Sequence, residues 1–343
     1  MSLRFIGACS LASGAVLVGV GHTPVERLRP VDALPAHICG QFREPIGFAQ
    51  LSTGQYLVLD RRAHTVFSVD QARTHVERLV QVGLDKGELL QPGVLSLAAN
   101  DTFAVSDAPF AQERIQIFFD SGTRRGAFMR PVRAAPRLRI GPLILSGAGS
   151  LHYTGTSVLL NEPESGALIA ELDVEGKVTR RIGSLRPTGH EADRQVHLAL
   201  NLGLPIGTPD DGVLFVFQTG VPLFRKYSAD GRLEFERHIE GPELDGYIQT
   251  LPTSWPTRET GDGTHPLVPP IVRTAALSSE GDLWVSLMPP LTYVYDQKGN
   301  KTRTVSFNAA GVLSPTSLFF STVSGTERIL VMPGCYEFPA SPQ

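Results

Sequence analysis

Apolar positions along this chain fall in short runs bounded by Gly, Asp, Asn and Pro, and residues 82–129 display the unit most plainly. Gly83, Gly87 and Pro92 punctuate a loop. Val94-Leu95-Ser96-Leu97-Ala98 is a first run, closed by the turn Asn100-Asp101. Phe103-Ala104-Val105-Ser106-Asp107 is a second, and Arg114-Ile115-Gln116-Ile117-Phe118-Phe119 alternates polar with apolar before Asp120-Ser121-Gly122. Residues 123–129 supply a fourth, more polar run. Strand-length runs separated by turn residues predict an antiparallel meander. A lone four-stranded sheet with two apolar faces cannot bury itself, so neighbours built alike are expected.

Those neighbours are present. The second run has counterparts in Tyr56-Leu57-Val58-Leu59-Asp60, Val158-Leu159-Leu160-Asn161, Val213-Leu214-Phe215-Val216-Phe217, Leu283-Trp284-Val285-Ser286-Leu287 and Ile329-Leu330-Val331-Met332. Their spacing is mostly about 45–55 residues, the period of a propeller blade with insertions. Third runs end on Asp or a Gly turn, as in Val66-Phe67-Ser68-Val69-Asp70 and Tyr293-Val294-Tyr295-Asp296, and charged fourth runs follow. Tight hairpins need positive φ or a side chain that bonds the local backbone, which is why Asp and Gly recur. The expected fold is all-β: one six-bladed β-propeller of four-stranded antiparallel blades over residues 22–343. The sixth unit lacks a fourth run, and Val25-Glu26-Arg27-Leu28 repeats Val76-Glu77-Arg78-Leu79. An N-terminal strand near residues 25–29 therefore completes the last blade, removing two exposed edges. Closure of that kind brings Cys39 and Cys335 to the same part of the ring and suggests a disulfide between them. Residues 241–270, rich in Pro and Gly, read as a long connection without a strand pair, and a shorter insertion spans 186–194.

Composition changes the picture little. Of 343 residues, 42% are apolar, enough for a substantial core, and a formal charge of −3 gives no reason to expect nucleic acid or an anionic membrane as partner. The N-terminus stands apart. Arg4 precedes an uncharged run, Phe5 to Gly21, rich in Ala, Val, Leu, Gly and Ser. That order matches a secretory signal over residues 1–21, and the run is short for a stable span, which takes about 20 predominantly apolar residues. Export to the periplasm or the medium is expected, with an uncleaved anchor as the alternative, and a monomer.

Gly83, Gly87, Gln91-Pro92-Gly93-Val94, Phe103-Ala104-Val105-Ser106-Asp107 and Arg114-Ile115-Gln116-Ile117-Phe118 together resemble an NHL-type repeat. Residues 45–70 fit moderately and the other four units in outline. The resemblance implies a six-bladed propeller over nearly all of the mature chain, a fold that hosts binding modules and enzymes alike. Related hydrolases of the gluconolactonase type hold a divalent ion with a Glu from an early blade and Asn and Asp from later ones. Glu44 stands where that Glu would be, but Val196-His197 and Val272-Arg273 occupy the later positions. No cofactor is therefore expected, a divalent metal in the central channel being the alternative.

If the first strand of each unit lines a channel, its mouth carries Glu44, Gln91, Arg139, His197, Arg273 and Thr316. Two arginines, a histidine, one carboxylate and two neutral polar groups suit a small polar or anionic ligand, since an Arg fork matches a carboxylate or phosphate. Trp255, in the long insertion, is a candidate contact residue, while Trp284 reads as core. His152, His190 and His265 are isolated, and Ser146-Gly147-Ala148-Gly149-Ser150 reads as a turn. The leading function is a scaffold that binds a ligand or a protein through a propeller face and the channel. The alternative is a hydrolase or lyase acting at the channel mouth, with His197, Arg273 and Glu44 as its candidate catalytic groups.

Overall fold

A computed structural model describes residues 24–341 except 110–111, 131–138, 141–142, 145–150, 253, 261–262 and 324; at 139, 140, 143, 144, 258, 260, 263–265 and 323 only the backbone is described. The segment read as a secretion signal lies outside the described residues. Those that are described form six antiparallel blades. From the channel outward, blade 1 is Pro45–Gln50, Tyr56–Asp60, Thr65–Val69 and Val76–Arg78. Blade 2 is Val94–Leu97, Phe103–Asp107, Arg114–Phe118 and Arg124–Met129, and blade 3 is Leu151–Tyr153, Val158–Asn161, Ala167–Leu172 and Val178–Ser184. Blade 4 is Gly203–Gly207, Val213–Phe217, Leu223–Tyr227 and Leu233–His238. Blade 5 is Val272–Leu277, Leu283–Leu287, Thr292–Tyr295 and Lys301–Phe307, and blade 6 contains Ser317–Val323, Thr326–Met332 and Tyr336–Pro339.

The second strands are apolar on both faces because each lies between two neighbouring blades. Leu57 and Leu59 pack with Phe103, Val105 and Phe118 across the first seam. Ala104, Ile115 and Ile117 meet Leu151, Tyr153 and Leu160 across the next. Leu159 and Leu168 face Phe215 and Phe217, while Val216 and Phe224 face Val285 and Tyr293. Trp284 and Phe307 meet Ile329 and Phe338, and Leu330 and Met332 return to Phe48 and Val58 of blade 1. Six apolar sandwiches thus replace a single core, each stabilised by removing apolar area from water.

The residue closing the second strand has a repeated task at the channel mouth. Asp60 accepts from the backbone N–H of Arg43 at 2.5 Å and of Glu44 at 3.1 Å. Asp107 accepts from Leu90 N–H at 3.0 Å and also pairs with the buried Arg114, whose other donors reach the carbonyls of Leu84 and Glu88. The Asp at the end of one strand and the Arg that opens the next therefore fix the loop that feeds the inner strand.

Closure follows the expected scheme with a different segment in the last position. Asp32–Ala33, two residues, pairs antiparallel with Tyr336–Pro339 and completes blade 6. Val25–Leu28 instead runs parallel to Lys301–Phe307 as a fifth strand on blade 5. Its Glu26 accepts from Nε and Nη2 of Arg303, each at 2.9 Å, and Leu28 is buried. Likeness to Val76–Arg78 marks an outer-rim strand but not the blade it joins.

Two further expectations are corrected. The inner strand of blade 3 is Leu151–Tyr153, whereas Arg139 belongs to a separate two-residue ladder, Arg139–Ile140 with Leu143–Ile144. The 241–270 connection holds a helix, Pro242–Gln249, and an antiparallel pair, Thr257–Thr260 with Gly263–Pro266. Pro242 at the start of that helix and Glu243 and Asp245 in its first turn favour it locally.

The seam between blades 6 and 1 is polar at its heart. Glu337, with no exposure, accepts from Tyr56 Oη at 2.6 Å, from Arg73 Nη2 at 2.7 Å and from Arg328 Nη1 at 2.7 Å. Burial, and then the Glu337 carboxylate, push the Tyr56 hydroxyl up to about 12, so it stays a donor. Removing one partner of such a group leaves uncompensated buried charge. Glu337→Ala is expected to lower the free energy of urea unfolding by about 3–5 kcal/mol. Arg232→Ala, which removes an exposed pairing with Asp230, should cost less than about 1 kcal/mol. Equal effects of the two substitutions would contradict a seam built on Glu337.

Candidate functional site

The six inner strands surround a channel of about 740 Å³. Their residues on it include Gly47, Leu95, Leu97, Pro205, Ala275 and Phe319, and Glu171, Arg180 and Asp211 border it from elsewhere in blades 3 and 4. Among the described residues His152 is the one imidazole on these walls. It makes no hydrogen bond with any described residue, and glycine at 207 on the next inner strand leaves it room: a Cβ there would stand 3.0 Å from His152 Nε2. Burial alone brings the His152 pKa from 6.5 to about 4, so the ring is neutral at neutral pH. Sequence reasoning missed His152 because the third inner strand was placed near Arg139. With the strand at Leu151–Tyr153, period-two alternation sends residue 152 to the channel.

The six residues expected at the mouth do not form a ring. Glu44 is held by Arg61 through two hydrogen bonds, one of them 3.1 Å from Nε to Oε2. No group of three or more His, Cys, Asp or Glu able to hold a metal occurs among the described residues. Gln91 sits at φ 53° and its N–H donates to His64 Nδ1 at 2.9 Å. Thr316 gives its N–H to the Met332 carbonyl at 2.8 Å and borders the channel. Arg139 lies outside the blades, and nothing is described of its side chain.

His197 stands on the connection between blades 3 and 4, Trp255 on that between blades 4 and 5, and Arg273 at the start of the blade 5 inner strand. His197 is carried by the short helix Arg194–Ala199, whose N-cap Asp193 accepts from Val196 N–H. Its Nδ1 lies 2.7 Å from Thr188 Oγ1 and 3.9 Å from Glu191, so the 186–194 insertion orients it. Trp255 packs on Val196, Ala199, Leu200 and Val268 and meets His190 edge-on at 6.5 Å between ring centres. Thr219 Oγ1 donates to the Ala199 carbonyl at 2.7 Å, and the neighbouring Gln218 amide reaches the Arg273 carbonyl at 3.3 Å. The helix and the start of the blade 5 inner strand are thereby tied through adjacent residues.

Arg273 is the extra residue of a β-bulge, since Val272 faces Leu287 while Thr274 faces Ser286. Bulges re-aim a side chain and interrupt the ladder locally. Among the described residues the half-buried Arg273 guanidinium has one hydrogen bond, Nη2 to the Met288 carbonyl at 3.4 Å, and its buried Nε has no partner. Burial pulls its pKa down, with Tyr247 the charged-state neighbour that opposes this. Trp255 Nε1 is likewise buried without a partner. A buried guanidinium donor left unmet calls for an acceptor-rich group.

No protein-family model and no curated protein matches the chain. Solved structures similar to it include a streptogramin B lyase, 11% identical with TM-score 0.49, covering 86% of this chain and 92% of that one. Virginiamycin B lyase from Staphylococcus aureus is 12% identical with TM-score 0.48, covering 91% and 88%, and BamB from Moraxella catarrhalis is 13% identical with TM-score 0.43, covering 90% and 77%. The class defined by the blades themselves is the six-bladed β-propeller, and likeness at this level assigns no chemistry.

The channel histidine gives an acid signature. Because the folded-state pKa of His152 lies below its unfolded value, its contribution is intact above about 6.5 and is lost as pH falls towards about 4. His152→Leu is expected to shrink the drop in urea midpoint between neutral pH and the acid end of that window. Identical drops in variant and wild type would show that the ring is hydrated and titrates normally.

Proposed function

We propose that the protein is an exported, NHL-like propeller that binds a small ligand carrying a carboxylate or a comparable acceptor group at the mouth between blades 4 and 5. The observation that carries this reading is Arg273. A guanidinium on a bulge, half-buried, with an unmet Nε and no described carboxylate beside it, is costly unless something supplies an acceptor. A ligand carboxylate would take the planar fork, the Trp255 N–H would give a second direction, and His197 would donate or accept on the other side. Apolar channel walls below would receive the non-polar remainder of the ligand. Export rests on the charged-then-apolar order of residues 1–21, and no helix among the described residues is long and apolar enough to cross a membrane.

His197 is also where catalysis would have to begin. Its contact with Thr188 Oγ1 holds the imidazole in place, and an acid or base at this corner would favour hydrolysis or elimination of the bound molecule. Binding is the leading reading because the observation that carries it is an unmet guanidinium donor, which calls for an acceptor and for no proton transfer.

A panel of small carboxylates (acetate, succinate, citrate and benzoate) tests the proposal by thermal shift. Wild type is expected to rise by roughly 2 °C or more with at least one of them near saturation. Arg273→Ala should lose that response, with affinity at least about tenfold weaker, and Arg273→Lys should recover only part of it. The same rise in wild type and Arg273→Ala would overturn the assignment.

A further inference from the structure

The ring closure contains a second piece of chemistry. The short helix Ala36–Cys39 follows the closing strand Asp32–Ala33, and Cys335 stands in the turn just before the strand that Asp32–Ala33 pairs with. Leu34 links the two, its N–H donating to the Cys335 carbonyl at 3.0 Å and its carbonyl accepting from Cys39 Sγ at 3.4 Å. Both cysteines belong to the apolar cluster of Ile38, Phe42, Phe48 and Tyr56 at the seam of blades 6 and 1. Cys335 Sγ donates to Met332 Sδ at 3.6 Å. Cys39 is partly exposed, whereas Cys335 is 1% exposed. Two thiols bridged by Leu34 within one cluster, one reachable and one sealed, make an ordered pair.

We infer that Cys39 and Cys335 are a redox pair whose disulfide fastens the N-terminal closing segment to the last blade, with Cys39 as the thiol that meets the oxidant. An external disulfide of the glutathione class supplies the oxidising equivalents. The Cys39 thiolate attacks one of its sulfurs, its S–S bond breaks, and one glutathione thiol leaves. Cys335 then loses its proton and attacks Cys39 Sγ, the mixed disulfide breaks, and the second glutathione thiol departs. The two cysteines give up two protons and two electrons in all, and one external disulfide becomes two thiols. The neighbouring Cys335 sulfur holds the Cys39 thiol down at about 7, while contact with Cys39 and burial push the Cys335 thiol up. That asymmetry suits the order of attack, because the thiolate is the nucleophile.

The bond would join residues separated by nearly the whole ring, so it would oppose opening of the two-residue strand that completes blade 6. The test uses the full chain treated with glutathione disulfide, quenched by alkylation and mapped by peptide mass, so that Cys9 is followed separately. The expected result is a Cys39–Cys335 cross-linked peptide, together with a melting temperature higher by roughly 5 °C or more that reverts on reduction. Cys335→Ala should stop at a glutathione adduct on Cys39, and Cys39→Ser should leave Cys335 unmodified in the folded protein. Wild type with both thiols still freely alkylated, or with a lasting glutathione adduct on Cys39 beside an intact Cys335, would overturn the inference even if Cys335→Ala fails to fold.

Discussion

Ring closure through the Glu337 carboxylate is the constraint on which the remaining architecture depends. A propeller built from six inter-blade sandwiches has no central core to hold it, so each seam must be satisfied by its two neighbours. Five seams join blades already consecutive in the chain. The sixth joins blade 6 to blade 1, and apolar contact there fixes no direction by itself. Glu337 supplies direction: Tyr56 and Arg73 reach it from blade 1 and Arg328 from its own blade, while Arg73 also contacts Asp32 at 2.5 Å in the closing strand. A buried carboxylate is tolerated only with such a full set of partners, so the network selects one relative placement of three segments.

Departures from the repeat locate the mouth corner. In blades 1 and 2 the second strand ends on an aspartate that accepts backbone N–H groups from the incoming loop. Asn161 of blade 3 still accepts from Gly203 N–H, at 3.3 Å. After the corresponding strand of blade 4 stands Gln218, whose amide is 3.3 Å from the Arg273 carbonyl and acts as a donor. The polarity of the capping bond is reversed where the next inner strand bulges. Arg273 is the residue carried on that bulge, and no carboxylate among the described residues pairs with it. The two insertions of the chain meet at the same corner through Trp255 and the Arg194–Ala199 helix.

The second, third and fourth strands of the blades were legible because burial between blades demands apolar runs and tight hairpins demand Asp and Gly. All six second strands fall where those runs predict. What was not legible depends on shortness or on partner choice. Leu151–Tyr153 is three residues long, too short to show its own period, which displaced the expected inner strand to Arg139 and hid His152. Val25–Leu28 carries the right outer-rim pattern, but a parallel ladder and the Glu26–Arg303 pairing decide its blade, and neither is written locally. The helix Pro242–Gln249 was masked by the Pro and Gly around it, although Pro suits a first turn. Arg273, His197 and Trp255 were singled out from residue type and position. The tie of the Arg194–Ala199 helix to the blade 5 inner strand through Gln218 and Thr219 is tertiary and was not legible.

Two arginines near blade 4 show how a structural cation differs from one left for a ligand. Arg186 is more deeply buried than Arg273, and burial pushes its pKa down to about 10. Yet its donors are used. Nε and Nη2 reach the Leu200 carbonyl at 3.1 and 2.8 Å, Nη1 reaches that of Val221 at 2.6 Å, and Nη2 also meets that of Thr219, while Phe217 lies under the guanidinium at 4.3 Å. Carbonyl dipoles and an aromatic face replace the water that Arg186 gives up, so it needs no anion. Arg273 has lost water as well, but among the described residues it finds one long contact, and its Nε has no partner. Equal side chains in similar surroundings are thus separated by the completeness of their partner sets. The incomplete set belongs to the bulge that opens the blade 5 inner strand.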